Sequence, residues 1–140
     1  MKKSVIKVLC LTFVVIMVFS LVSCDKSESI KKAFEDEGYT VSSVSADDSV
    51  VMGVIKTMLT DEQIERLDSY EIISCVNGLN IAIIVKCPSS GYIKDFLTVE
   101  DEDGKKDTSA YDDAKDDGTI NGNCIIFTLS SKAKEIFEKA

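Results

Sequence analysis

The residues with the greatest capacity for chemistry are the carboxylates of the segment 100–118. This segment contains nine acidic residues and three lysines, which gives it a local charge of −6. Clustered carboxylate oxygens suit a calcium ion, and a pair of carboxylates can act as acid and base in glycoside hydrolysis. A run of like charges also repels itself and resists packing, as in solvated, flexible segments. We therefore expect a solvated acidic loop at about residues 100–118.

The spacing of oxygen-bearing side chains in this segment resembles part of a calcium loop of the EF-hand type. Asp113 and Asp117 occupy its first and fifth positions, and Asn121 is the remaining candidate ligand. Lys115 stands at the third position, and Cys124 stands where a bidentate glutamate closes such a loop. Calcium binding through Asp113, Asp117 and Asn121 therefore stays an alternative to the solvated loop.

The composition argues against several classes of function. The chain has no histidine, which is the commonest acid–base side chain near neutral pH and a common metal ligand. Lysine and arginine total 16 against 24 acidic residues, a net charge of −8, so nucleic acid is not an expected partner. The sequence has no tryptophan for a sugar platform and no glycine-rich phosphate loop. We expect no catalytic residues and no cofactor, with a carboxylate-based extracellular enzyme as an alternative.

The N-terminal region has the pattern of a secretory signal. The first seven residues contain three lysines, and no charged residue occurs from position 8 to position 24. The uncharged run ends in Leu21-Val22-Ser23-Cys24, which resembles the lipobox of bacterial lipoproteins. The resemblance implies that the Cys24 thiol receives a diacylglycerol and that a peptidase cleaves the chain just before Cys24.

The resemblance divides the chain into a removed signal peptide (1–23), a lipid-anchored tether (24–28) and a single domain (29–140). Removing 23 of the 140 residues leaves 117, and the loss of three lysines changes the net charge from −8 to −11. An uncleaved membrane helix is the alternative, because 17 uncharged residues lie at the lower edge of the ~17 to 25 that span a bilayer. Both interpretations place the domain outside the cytoplasmic membrane of a bacterium, since the lysines stay on the cytoplasmic side.

Three cysteines remain in the body of the chain once Cys24 is acylated: Cys75, Cys87 and Cys124. An odd number leaves at least one thiol unpaired in an exported protein. Neither a histidine nor an obvious cationic partner is present to lower a thiol pKa. We interpret the three as small buried apolar residues that are inert as nucleophiles.

Hydrophobic periodicity predicts alternating helices and strands in the domain. An i, i+3, i+4 pattern followed by a glycine predicts a helix over 28–37, and alternation predicts a strand over 39–46. The stretch 50–59 fits a helix face or a buried strand, and we favour the helix. A capping box formed by Thr60 and Gln63 predicts the start of a further helix.

The clearest local signal is a β-hairpin over 71–86 with Asn77-Gly78 as its two-residue turn. Pairing Val76 with Leu79 places one nearly all-apolar face toward a core. The opposite face has apolar residues in its middle, namely Ile73, Cys75, Ala82 and Ile84. Because polar residues surround them, this second face is only half suited to water, and we expect it to be covered either by a protein partner or by the chain's own terminal helix.

A short helix around 93–97, a strand over 124–129 and a helix from about residue 132 complete the pattern. Without the terminal helices, the order is strand, helix, strand, strand, helix, strand. This order resembles the ferredoxin-like split βαβ arrangement at the level of topology. We predict a small α+β domain with an antiparallel sheet of about four strands. Its expected role is that of a non-enzymatic cell-envelope lipoprotein that binds a partner.

Overall fold

The computed structural model describes residues 25–140, and the predicted signal peptide and Cys24 lie outside the described residues. The described chain has six α-helices: α1 (Ser27–Asp36), α2 (Ser49–Ile55), α3 (Asp61–Arg66), α4 (Ser90–Leu97), α5 (Ser109–Asp116) and α6 (Ser131–Lys139). Its strands are β1 (Thr40–Val44), β2 (Glu71–Asn77), β3 (Asn80–Lys86), β4 (Val99–Glu100), β5 (Lys106–Asp107), β6 (Ile120–Asn121) and β7 (Cys124–Thr128). A 3-10 turn, Leu67–Ser69, connects α3 to β2. Each helix within residues 25–140 is too short or too polar to span a bilayer.

Five strands form the main antiparallel sheet, in the spatial order β1-β2-β3-β7-β6. The strands β4 and β5 form a separate two-stranded hairpin. The α+β class predicted from the sequence is confirmed. The predicted number of about four strands in this sheet is one too few because β6 has only two residues.

The ferredoxin-like strand order predicted from the sequence is wrong. In a split βαβ arrangement, one helical crossover joins two parallel strands that have another strand between them. Here β1 pairs directly with β2 in the antiparallel sense, with Val41 opposite Cys75. Two helices, α2 and α3, lie between these strands in the chain instead of one. The additional reversal of direction brings β2 back antiparallel beside β1.

Local signals explain the starts and ends of several helices. The helix α1 buries Ile30 and Phe34, which are four residues apart, and the chain after it takes a positive φ of 86° at Gly38. The helix α3 starts at the predicted capping box, in which the Thr60 hydroxyl accepts from the Gln63 backbone N–H and the Gln63 side chain accepts from the Thr60 N–H. The ambiguous stretch 50–59 is helical over residues 50–55, in agreement with the favoured interpretation.

The β2–β3 hairpin forms as predicted, but its turn lies one residue further along. Asn77 pairs with Asn80, so the two turn residues are Gly78 and Leu79. Gly78 has φ +63°, and no non-glycine residue of the described chain has a positive φ. A glycine at the first turn position alone is typical of a type II′ turn, whereas an Asn-Gly turn of type I′ needs positive φ at both positions.

The predicted pairing of Val76 with Leu79 is therefore wrong, and Val76 lies opposite Ile81. Cys75 correspondingly lies opposite Ala82. The register differs from the predicted one by two residues, an even number, so every side chain stays on its predicted face. Leu79 is the exception, since it lies in the turn and is fully exposed.

One face of the main sheet packs against α2, α4 and the 3-10 turn. The strands contribute Ile83 and Phe127 to this cluster, and the helices contribute Val51 and Phe96, among others. The Phe96 and Phe127 rings meet edge to face, with their centroids 6.4 Å apart. This cluster is the first hydrophobic core, on the face that the sequence predicts.

The second sheet face is a core as well, so the expected protein partner at this face is wrong, and the alternative, cover by the chain's own terminal helix, is confirmed. Its middle residues are 0% exposed: Ile73, Cys75, Ala82 and Ile84. They pack in one cluster with Phe34 of α1 and Phe137 of α6. The chain itself covers this face with the first and last helices of the described residues. The protein is therefore a three-layer sandwich with helices on both faces of one sheet.

The acidic segment 100–118 has regular structure instead of the predicted flexible loop. It contains the β4–β5 hairpin and α5. The Asp101 carboxylate accepts hydrogen bonds from the backbone N–H groups of Asp103 and Lys105, at 3.0 and 2.8 Å, and these bonds fix the hairpin turn. All of its residues are exposed or half-buried, so the segment is solvated as predicted but ordered by local hydrogen bonds.

Candidate membrane-anchoring site

The chain that follows Cys24 is bound directly to the main sheet. The backbone N–H of Lys26 donates a hydrogen bond to the side-chain oxygen of Asn123 at 3.0 Å. The side-chain N–H of Asn123 donates to the backbone carbonyl of Cys87 at 2.8 Å, and Asn123 is buried. One buried amide in the β6–β7 turn therefore ties the start of the described chain to the end of β3.

The β6–β7 turn can approach Lys26 this closely because its other residue is a glycine. Gly122 has φ +61°, which is the left-handed region that favours glycine. A Cβ atom at this position would collide with Cγ of Lys26. Any other residue type at position 122 would strain the turn and displace the Lys26 side chain.

An ion pair holds Asp25 against the same end of the sheet. Asp25 Oδ2 lies 3.0 Å from Lys86 Nζ, and the Glu71 carboxylate lies 3.5 Å from the same ammonium group. Burial alone would raise the pKa of Asp25, but hydrogen bonds from Ser27 and Lys86 outweigh it and hold that pKa well below its usual range. The bond with Asp25 raises the pKa of Lys86.

The predicted tether over 24–28 is wrong in its extent. We call Asp25, Lys26, Lys86 and Asn123 together the N-terminal latch. Immediately after the first two of these residues, α1 begins at Ser27, which is completely buried. The Asp25 carboxylate and the backbone N–H of Lys26 have partners on the sheet, and the Ser27 N–H donates to Asp25, so the folded domain already includes residue 25, four positions before the predicted boundary at residue 29. Cys24, the predicted lipidation site, directly precedes this latch in the chain and lies outside the described residues.

The lowered pKa of Asp25 predicts an acid-sensitive contribution to stability. A carboxylate with a lower pKa in the folded than in the unfolded chain stabilises the fold above its unfolded value of about 3.9, and this stabilisation is lost as the pH falls through the folded pKa. Because Asp25 is partly exposed, we expect a contribution of about 0.5–1 kcal/mol, as for a surface ion pair. Between pH 7 and pH 3, the wild type should therefore lose more unfolding free energy than Asp25→Asn.

Denaturant titrations of a chain that begins at Asp25, which contains both cores, measure this difference. The matched control is Asp103→Asn in the exposed turn of the β4–β5 hairpin, which should keep the wild-type pH dependence. Identical pH dependence in the wild type and Asp25→Asn would show that the Asp25–Lys86 pair does not stabilise the fold.

The three candidate calcium ligands do not form a coordination site. Asp113 lies within α5, Asp117 is the residue that caps its C-terminus, and the helix replaces the loop from which EF-hand ligands project. Asn121 instead donates its side-chain N–H to the backbone carbonyl of Phe137 at 2.9 Å. Across residues 25–140, no group of three or more His, Cys, Asp or Glu side chains is arranged to hold a metal ion.

The three cysteines are buried and unpaired, as predicted. Cys87 lies in the first core, and Cys75 and Cys124 lie in the second. Desolvation raises the pKa of Cys87 to about 11 and the pKa values of Cys75 and Cys124 to about 12. Because the thiolate is the reactive form, these thiols are poorly suited to nucleophilic chemistry.

No protein-family model, curated protein or solved structure matches this chain. The chain's own residues and the lipobox-like motif before the N-terminal latch therefore carry the proposed function.

Proposed function

We propose that this chain is a lipid-anchored, extracytoplasmic binding protein of the bacterial cell envelope and not an enzyme. The anchor is a diacylglycerol on Cys24, whose sequence context resembles a lipobox. The N-terminal latch is the observation that carries the proposal, because it fixes the residues next to Cys24 against the folded domain. Because Asp25 of the latch directly follows Cys24, an acylated Cys24 holds the domain close to the membrane and restricts its orientation.

The position of the latch at one end of the main sheet defines that orientation. Lys86 is the last residue of β3 at this end, and Asn80 is the first residue at the other end. At about 3.3 Å per residue, the strand separates the latch from the β2–β3 turn by about 20 Å. A lipid on Cys24 therefore directs the turn and its exposed Leu79 away from the membrane.

The chemistry of the described residues favours binding over catalysis. The sequence has no histidine, and the thiols are buried with raised pKa values. The carboxylates of the acidic segment lie on an exposed hairpin and helix, where water solvates them. An acidic surface of this kind steers and orients a partner of opposite charge.

Labelling of lysines from outside the cell tests the proposed location. Spheroplasts that contain the full chain are treated with an amine-reactive biotin reagent that cannot cross the membrane. We expect biotin on the exposed Lys32 and Lys56 before lysis, and none on a cytoplasmic control protein. Labelling of these lysines only after lysis would place the domain inside the cell and end the proposal.

A further inference from the structure

The ladder of backbone hydrogen bonds along the outer side of β7 stops before the strand ends. The strand β6 pairs only with Cys124 and Ile125, and one further bond runs from the Ile126 N–H to the Thr119 carbonyl at 3.0 Å. The Thr119 N–H does not return to β7, because it donates to Ala114 at the end of α5, at 3.0 Å. Because the Thr119 N–H is bonded to α5, β6 does not extend further along β7.

The end of β7 therefore presents an open edge. In an antiparallel strand, alternate residues direct their N–H and C=O groups to the same side. Since the Ile126 N–H points outward to β6, the N–H and C=O of Thr128 point to that side as well. No strand of the described chain pairs with Thr128 there, whereas β3 pairs with it on the inner side through Ala82. Such an edge is a template for an additional strand.

A cavity of about 300 Å³ lies beside this open edge and is lined in part by residues 125–128. Its apolar lining includes Met58, Leu59 and Leu97, and its charged lining includes Asp113, Asp117 and Lys134. The volume is at the lower end of the ~300–1,000 Å³ of small-molecule pockets, so it suits individual side chains better than an enclosed ligand. Leu129, just after β7, is 85% exposed and extends the apolar surface beyond the strand.

We infer that the open edge of β7 accepts an extended, basic peptide segment of a partner protein as an additional strand. The inference deepens the proposed binding role and rests on it for the orientation of the edge. Main-chain bonds to the N–H and C=O of Thr128 supply pairing, because the Ile126 N–H already donates to Thr119, and apolar side chains of the peptide enter the cavity. Cys124 pairs with Lys86 of the latch, so Thr128 lies at the end of β7 that faces away from the proposed anchor.

The charge of the region decides between a partner peptide and a second copy of this chain. Asp113 and Asp117 outnumber Lys134 around the cavity, and α5 adds Asp112 and Asp116 on its exposed surface. Pairing of two β7 edges would bring these acidic helices together in two chains that each carry −11 after cleavage. A basic segment removes this repulsion and is attracted by the same carboxylates.

The opposite edge of the sheet is less suited to an apolar peptide. The outer strand there is β1, which exposes the polar residues Thr40, Ser42 and Ser43. The edge of β7 instead combines unpaired main-chain groups with an apolar cavity wall. Both properties are those of strand-addition sites, in which the main chain supplies affinity and the pockets supply specificity.

Synthetic peptides test the inference on the full chain in detergent micelles. The probe has about eight residues of alternating lysine and valine, a common strand length. One control peptide replaces lysine with glutamate, and another replaces a central valine with proline, which removes a main-chain donor and keeps the charge. We expect the lysine–valine peptide to bind about tenfold more tightly than either control, and to slow hydrogen exchange of the Thr128 N–H.

Charge-reversal variants test the location of the bound peptide. Asp117→Lys should weaken binding about tenfold, because it replaces attraction with repulsion beside the cavity. A lysine is also favourable at a helix C-terminus, so this variant is expected to remain folded. The matched control Asp103→Lys makes the same change of charge in the β4–β5 turn, outside the cavity lining, and should weaken binding less than about twofold.

Three results would overturn the inference. Equal affinity for the lysine–valine peptide and the proline-containing peptide would show that charge alone determines binding. Equal losses of affinity in Asp117→Lys and Asp103→Lys would show that the peptide binds away from the cavity. Slowed exchange at Thr128 on raising the protein concentration without peptide would identify a second copy as the occupant. Since these measurements are made in micelles, their failure leaves the spheroplast labelling result unaffected.

Discussion

Replacing Cys24 with alanine is expected to abolish lipid attachment and to remove the chain from the membrane fraction. A single acyl chain gives only marginal membrane binding, with an association constant of about 10⁴ M⁻¹, and two signals are needed for stable anchoring. Cys24 is the proposed attachment point of a diacylglycerol, so its loss removes both chains at once. Fractionation of cells grown with a clickable fatty acid measures the label and the location together.

The chain contains a matched control for this experiment. Cys10 lies in the same uncharged N-terminal run as Cys24 but outside the lipobox-like motif. Cys10→Ala should keep the fatty-acid label, the mature size and the membrane location of the wild type. If Cys24→Ala remains in the membrane at full precursor size in wild-type amounts, the run is an uncleaved membrane span and the lipoprotein interpretation fails.

Ile84→Ala should destabilise the domain by about 2–5 kcal/mol, as expected for the loss of a completely buried isoleucine in a close-packed core. Ile84 is 0% exposed and packs in the cluster that α1 and α6 complete. If this face were a docking surface, the same substitution would change stability by no more than about 0.5 kcal/mol. The two interpretations of the second sheet face therefore predict changes in the free energy of unfolding that differ several-fold.

Denaturant unfolding of a chain that begins at Asp25 gives this difference from the shift of the midpoint at constant slope. Leu129→Ala is the control, since Leu129 is also a large apolar residue of the sheet region but is 85% exposed. We expect its effect to stay within about 0.5 kcal/mol. Similar effects of the two substitutions would contradict the assignment of the second face to the core.

Features that depend on neighbouring residues could be predicted from the sequence. The capping box at Thr60 and the left-handed residue Gly38 act within one helical turn, so their signals survive in a short window. The sequence predicts the hairpin turn to within one residue. Gly78, with its positive φ, can occupy the second position of a type I′ turn or the first position of a type II′ turn. Alternation also assigned the sheet faces, since a change of register by two residues preserves them.

Features that depend on distant residues could not be predicted in this way. The order β1-β2-β3-β7-β6 depends on how many reversals of chain direction separate β1 from β2, and the pattern of 50–59, which fits a helix or a strand, does not determine that number. The cover of the second sheet face comes from α1 and α6, which lie near opposite ends of the described chain. No local pattern shows that these two helices pack on the same side.

The candidate site also combines a local sequence motif with contacts between distant residues. The proposal of Cys24 as the anchor depends on four consecutive residues, whereas the latch joins Lys26 to Asn123 across 97 positions. Asn123 has no sequence signal beyond its place in a turn, because its role depends on the Cys87 carbonyl and on the passage of Lys26. The candidate calcium ligands show the limit of a local spacing, since Asp113 lies in a helix and Asp117 at its end in the structure.

The mass of the N-terminal peptide of the membrane-extracted chain tests the proposed anchor most directly. We predict a peptide that starts at Cys24, carries a diacylglycerol on its sulfur, and continues into Asp25 and Lys26. A peptide that starts at Cys24 without lipid, or one that extends back through Ser23 toward the initial methionine, would contradict the account.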